Sequence, residues 1–162
     1  MKILITLIFS LYTLGQSVST TEVEAALIFR IAHFVEQQST SVAKFCVFGD
    51  SEIYHVLKSN IENKMLGKRR VEVEITNNKN LRKAECSILI LAHEVKSESD
   101  KALMMEVFGF VTISLSELNG QYSHIILRRE DKKIKFDANL TKIKLDNVKI
   151  SSKLLRLADR TY

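Results

Sequence analysis

Three observations predict one α/β domain with a mixed, largely parallel sheet of about six strands flanked by helices. Apolar runs of strand length alternate with helix-length patterns along most of the chain. Some runs, such as residues 86–91 (CSILIL), are apolar on both faces, which suits the middle of a parallel sheet covered on both sides. Near the end, residues 123–127 and 132–137 flank the charged turn Arg129-Glu130-Asp131 and predict a late antiparallel hairpin at one side of the sheet.

The first residues read as an address. Lys2 supplies a minimal positive start, and residues 3–14 are almost continuously apolar and uncharged. Gln16-Ser17-Val18-Ser19 then places small residues where a signal peptidase reads. This predicts a signal peptide over residues 1–19, cleaved after Ser19, and a domain over 20–162 exported to the periplasm. The apolar run is short for a bilayer span, and a retained anchor is the competing reading. No later stretch is apolar for long enough to insert in a membrane.

The formal net charge of the chain is +5, one unit of which lies in Lys2. Bases alternate with acids, as over residues 142–146, and mark solvated faces. A nucleic-acid partner is not expected, because basic clusters interleaved with aromatics are missing. Lys68-Arg69-Arg70 is a short run before a strand. The chain has no proline, so nothing marks a domain linker.

Taken in order, Thr21-Glu22-Val23-Glu24 has the spacing of a capping box. The helix that follows carries Val23, Leu27, Ile28, Phe29, Ile31, Phe34 and Val35, a broad apolar face. Residues 43–48 form a buried strand, then Gly49-Asp50-Ser51 turns into a helix whose inner side is Ile53, Tyr54, Leu57 and Ile61. Gly67 marks a turn. Val71, Val73 and Ile75 alternate with Glu72 and Glu74 as a strand with one polar face. Asn77, Asn78 and Asn80 make a loop, and Leu81 and Ala84 suit a helical turn. Residues 97–100 are rich in capping side chains and precede a helix through Leu103, Met104 and Val107. Residues 108–113 read as a third apolar strand with Gly109 inside it, followed by a connection over 114–120. After the hairpin, Asn139 caps a short helix. Asn147 ends that helix in the left-handed conformation. Ser151 or Ser152 caps a last helix bearing Leu154, Leu155, Leu157 and Ala158.

No catalytic constellation emerges. His33, His55, His93 and His124 are not paired at metal-ligand spacing, and there is no HExxH. His93 and Glu94 follow a buried strand, where ligands of open α/β sheets bind; a solvated loop is the bland alternative. Gly49-Asp50-Ser51 lacks the phosphate-binding glycine patterns and reads as a cap. No GxSxG elbow is present. An enzyme would need a site gathered from His93, His124 or the carboxylates. No catalytic, cofactor-binding or metal-binding residue is assigned. Cys46 and Cys86 are the only two cysteines. An even count in an exported chain fits a disulfide, worth about 4 kcal/mol for a loop of this length in the chain-entropy model. Two buried free thiols are the competing reading, because the sequence does not bring the sulfurs together.

Several segments together resemble the YfiR-like family of exported bacterial proteins. ALIFRIAHFVE at 26–36 is similar to its opening helix, with Gln37-Gln38 where the family usually has an aromatic-proline pair. FCVFGDS at 45–51 resembles its first strand and places Cys46 at a family cysteine. LGKRRVEV at 66–73 resembles its glycine-basic turn and second strand. AECSILIL at 84–91 supplies the second family cysteine, Cys86, followed by Ser87 where a histidine is common. FVTISLSE at 110–117 resembles the next strand. The ending IKFDANLTKIKLDNVKISSKLLRLA is the most specific part, with Asn147 in place of a common glycine.

The resemblance implies a periplasmic binding protein, not an enzyme. Such a protein represses an inner-membrane diguanylate cyclase by binding that enzyme's periplasmic sensor domain. Repression lowers cyclic di-GMP, limits biofilm and favours motility. The resemblance also implies a homodimer and a Cys46–Cys86 disulfide. Some relatives carry a second cysteine pair near the late hairpin, which this chain lacks. The expected partner-binding residues are Ile150, Leu154 and Leu155, as an exposed apolar patch. A short helix also needs one packed face, and that reading places Leu154 and Leu157 inward and Ile150 and Leu155 outward. A periplasmic small-ligand receptor of a transport or sensing pathway, with a cleft at the strand ends, is the alternative from another class.

Overall fold

Strand β1 (Val42–Phe48) pairs parallel with β3 (Arg69–Thr76) along its whole length and with β4 (Ile88–Leu91) over its second half. The computed structural model describes residues 18–36, 40–49, 51–106, 109–131 and 133–162. β5 (Val111–Ser114) and β6 (Ile125–Glu130) continue the sheet in parallel, and β7 (Lys133–Ala138) returns antiparallel to β6. Two-residue strands close both edges, β2 (Met65–Leu66) beside β3 and β8 (Arg160–Thr161) beside β7. The order is β2-β3-β1-β4-β5-β6-β7-β8. The five parallel strands in the middle follow the doubly wound order of flavodoxin-like sheets.

The expected α/β domain with a largely parallel sheet and a late hairpin is therefore present, with eight strands in place of about six. The two extra strands are pairs of residues too short to carry an alternating pattern. The hairpin turn is also tighter than the charge pattern suggested. Arg129 and Glu130 belong to β6, and the reversal falls on Asp131, which holds φ +53°. The third apolar strand begins beyond Gly109, whose φ of +96° an extended strand cannot use. Residues 1–17, Gln37-Gln38, Asp50, Val107, Phe108 and Lys132, which carry parts of the sequence reading, lie outside the described residues.

Alternation in the strands splits the core into two layers. Ala43, Phe45, Val47, Val71, Val73, Ile88, Ile90 and Ile113 face α1 (Thr20–Ala32), α2 (Glu52–Ile61) and Leu154 of α5 (Ser152–Leu155). Cys46, Leu89 and Leu91 face the other way, against Leu81, Val95, Tyr122 and Leu103 and Met104 of α3 (Glu98–Glu106). All four residues of β4 are buried, as expected for a strand covered on both sides. α4 (Leu140–Leu145) lies over the second face beyond the apolar patch, where it meets His124. Asn139 caps it by accepting a hydrogen bond from the Lys142 N–H, and Asn147 ends it at φ +52°. Ser151 caps α5.

Charge fastens the hairpin to the rest. The expected capping box at Thr21 and Glu24 is displaced to Ser19 and Glu22, which bond reciprocally. Glu24 is unavailable because it is buried and accepts two hydrogen bonds from Arg129 of β6, at 2.6 and 2.7 Å. On the other face, buried Arg128 donates to both oxygens of Asp137 at 2.7 and 3.1 Å, to Glu130 at 2.8 Å and to Asp159 at 2.5 Å. Lys135 joins Glu130 and Asp159 from the side. Lys135 first, and Arg128 after it, hold the Glu130 carboxyl down to about 2. Asp159 precedes β8, so this network ties the last strand to the hairpin.

Arg128→Ala leaves the buried Asp137 carboxylate unpaired and is expected to cost about 3–5 kcal/mol of stability. The double variant Arg128→Ala/Asp137→Ala recovers part of that loss. Urea unfolding monitored by circular dichroism measures both.

Candidate functional site

The two cysteines meet. Cys46 lies in β1 and Cys86 enters β4, its neighbour in the sheet, and the pair forms a disulfide with 5.8 Å between Cα atoms. Glu85, at φ +48°, makes the turn before Cys86. The adjoining backbone is stitched as well: the Ser87 N–H donates to the Lys44 carbonyl, and the Lys44 N–H donates to Ser87 Oγ. Cys46 is fully buried, whereas Cys86 retains slight exposure.

Cys86 lines a cleft of about 720 Å³ at the N-terminal ends of the parallel strands. Val42, Lys44, Phe110 and Val111 contribute from the strand entries, and residues 146–149 form one wall. Doubly wound sheets usually bind ligands at the opposite, C-terminal ends. At those ends a hydrogen-bonded knot that no local motif singles out ties the loops together. Buried Asn119 donates from Nδ2 to the His93 carbonyl and to Ser114 Oγ, and its Oδ1 accepts from the Val95 N–H at 2.9 Å. The loop that carries His93 and Glu94 is thus pinned by its backbone, and both side chains are exposed.

The wall of the cleft continues into a strap that runs antiparallel to residues 34–36, just after α1. Val35 and Ile150 form a β-bridge, the Glu36 N–H donates to the Lys149 carbonyl, and the Ser151 N–H donates to the Phe34 carbonyl. Ile150 is half-buried against the core. Leu154 is buried, Leu155 is half-buried, and Leu157 is 68% exposed. The outward position of Leu157 departs from the packed position expected of it. α5 stops at Leu155, and Arg156 and Leu157 form a turn, so helical spacing no longer sets which way Leu157 points.

His124 is buried beside the end of α4. His124 Nδ1 accepts the Thr112 N–H at 2.9 Å, so the neutral ring carries its proton on Nε2. That nitrogen stands 3.0 Å from Asp146 Oδ2, which also receives Lys142 Nζ at 2.8 Å. A general base needs a free nitrogen within reach of a nucleophile's proton. Nδ1, the basic nitrogen, is taken by backbone, and Nε2 carries the ring proton 3.0 Å from Asp146 Oδ2 without making a hydrogen bond. Burial pushes the imidazole down to about 4, with Asp146 opposing and Lys142 reinforcing the shift. The His124–Asp146 pair is therefore structural. Among the described residues, no three His, Cys, Asp or Glu side chains gather as metal ligands. No helix among them is long and apolar enough to cross a membrane.

The fold and the bridge define a disulfide-closed α/β domain. The chain belongs to the YfiR/HmsC-like family, whose profile matches residues 21–159. No curated protein matches the chain. Family membership makes it, at the level of the family, a periplasmic regulator of diguanylate cyclase signalling.

Cys46→Ser is expected to lower stability by about 2–5 kcal/mol under oxidising conditions. Reductant should lower the thermal midpoint of the parent and leave that of the variant unmoved. Equal midpoints for both proteins without reductant would contradict a stabilising bridge.

Proposed function

We propose that this protein represses an inner-membrane diguanylate cyclase by binding that enzyme's periplasmic sensor domain, and so lowers cyclic di-GMP. The observation that carries the reading is the family match over residues 21–159. It works as a homodimer and carries no catalytic step of its own. The partner surface is built on the C-terminal segment. Ile150 and Leu155 form its rim, Leu157 projects beside them, and Leu154 acts from beneath by seating α5 on the core. Lys153 and Arg156, both exposed, give that surface a positive border.

The leader, residues 1–19, is removed on export. Cleavage after Ser19 takes away the Ser19 hydroxyl that caps α1 and leaves the Thr20 ammonium at the helix start, with Glu22 still in the first turn to face it. The mass of the protein recovered from the periplasm checks this boundary.

Deleting the gene should raise cellular cyclic di-GMP, and restoring the parent should lower it again. Leu155→Asp and Leu157→Asp should weaken binding to the purified sensor domain by about tenfold or more, the effect of losing a hot-spot side chain. Neither should change the unfolding free energy read from urea titration by more than about 1 kcal/mol, because neither side chain is in the buried core. Unchanged cyclic di-GMP beside an intact cyclase would rule out repression. The cleft beside Cys86 favours a second reading, a small-ligand receptor. Thermal shifts across a metabolite panel, set against sensor-domain binding, separate the two.

A further inference from the structure

We propose that the buried cluster of His124, Asp146 and Lys142 is an acid-sensitive latch. It holds α4 and the strap that follows against β5 and β6 while the ring is neutral, and releases them when the ring gains a proton.

The geometry gives the ring two jobs that protonation sets against each other. Through Nδ1, His124 accepts the Thr112 N–H, while its own backbone N–H donates to the Thr112 carbonyl at 3.0 Å. Side chain and backbone together extend the β5–β6 ladder one step beyond its first paired residues, Ile113 and Ile125. An imidazolium has a proton on each nitrogen. Nδ1–H would then point at the Thr112 N–H, donor against donor, and that step of the ladder would be lost.

Through Nε2 the ring faces the end of α4, 3.0 Å from Asp146 Oδ2 and buried there without a hydrogen bond. Asp146 sits at the end of that helix with its side chain 3% exposed, and its Oδ2 is shared between His124 and Lys142. Its other oxygen, Oδ1, is buried and accepts no hydrogen bond. The charged groups that face the ring are Asp146 and Lys142, both from the α4 segment. β5 presents only neutral Thr112. Asp146 alone would welcome a cation on the ring, but Lys142 already supplies one at 2.8 Å. A second buried cation there is poorly compensated, consistent with the direction of the shift noted above.

What the latch holds is the wall of the cleft. Asp146 and Asn147 lead directly into Val148 and Lys149, and from there to the Ile150 bridge with Val35. Releasing α4 frees the anchor of this strap at one end, beside the C-terminal segment.

The sign follows from linkage. The ring titrates near 6.5 when released and near 4 when latched, so the latched state is fully favoured above about 6.5 and loses ground as pH falls toward 4. The released population should rise by up to about 300-fold across that window.

Hydrogen exchange of the full domain, read at pH 7.5, 5.5 and 4 and corrected for intrinsic rates, tests this. Amides of residues 140–151 should lose protection by up to two orders of magnitude while those of β1 and β4 keep theirs. His124→Asn keeps a neutral acceptor near the Thr112 N–H and should hold that protection constant with pH. In the parent, the His124 ring resonances and the α4 amide resonances should titrate with one shared midpoint, a measurement that does not depend on the variant folding. Identical pH dependence in parent and variant, protection lost equally in β1 and β4, or separate midpoints for ring and helix would overturn the latch.

Discussion

A parallel sheet has two faces and no tolerance for leaving either in water. Its strands cannot be joined by tight turns, so each crossover must travel over a face, and the chain that travels becomes the cover. β1 and β4 sit where this demand is greatest, with Phe45, Ile88 and Ile90 pointing to one side and Cys46, Leu89 and Leu91 to the other. The remaining architecture answers that demand. α1 and α2 roof one face, and α3 with the short helical turns roofs the other. The disulfide lies within the thinner of the two layers, where Cys46 and Cys86 join Leu81, Leu89 and Tyr122. A bridge there serves as core volume as well as a tie.

Around the hairpin charge extends both apolar layers, with Arg128 buried on the second face and Glu24 of α1 buried on the first. Arg128 with Asp137, Glu24 with Arg129, and Asp146 with Lys142 are each paired through short hydrogen bonds. Buried pairs of this kind add little net stability compared with apolar packing, but losing one partner is expensive. They therefore act chiefly on register and orientation. Arg128 accepts one arrangement of β6, β7 and β8, and Glu24 accepts one placement of α1 over β6. An apolar layer would tolerate sliding that these forks do not.

Much of this was legible in the chain. Residues 43–48 and 86–91 announced buried strands because both faces had to be apolar. Asn139, Asn147 and the Ser151-Ser152 pair announced the helix ends because capping chemistry is local, and the structure picks Ser151. The pairing of Cys46 with Cys86 followed from family likeness and compartment, and the structure supplied the adjacency that spacing did not. What stayed hidden is long-range. Thr21 to Glu24 has the spacing of a cap, yet Glu24 belongs to an arginine more than a hundred residues away. Asn119 looked like one residue in a connection, and only the fold places the His93 carbonyl and the Val95 N–H around it. His124 carried no local motif, since its partners Thr112 and Asp146 lie far from it in sequence. Leu157 was misplaced because a helical rule was extended past the end of a four-residue helix.

The bridge also has a consequence for how the chain finds its shape. Parallel pairing is slow because the strands must meet across long stretches of chain, and the cost of closing that loop comes before any contact rewards it. Cys46 and Cys86 are separated by 40 residues, a span that includes α2, β2 and β3. In the oxidised chain, β1 and the entry to β4 are already neighbours, and β3 has only to settle against β1 inside a closed ring. The central pairing of the sheet becomes a local event. The later strands then add outward, each beside one already in place, so oxidation turns a search across the whole domain into growth from a template.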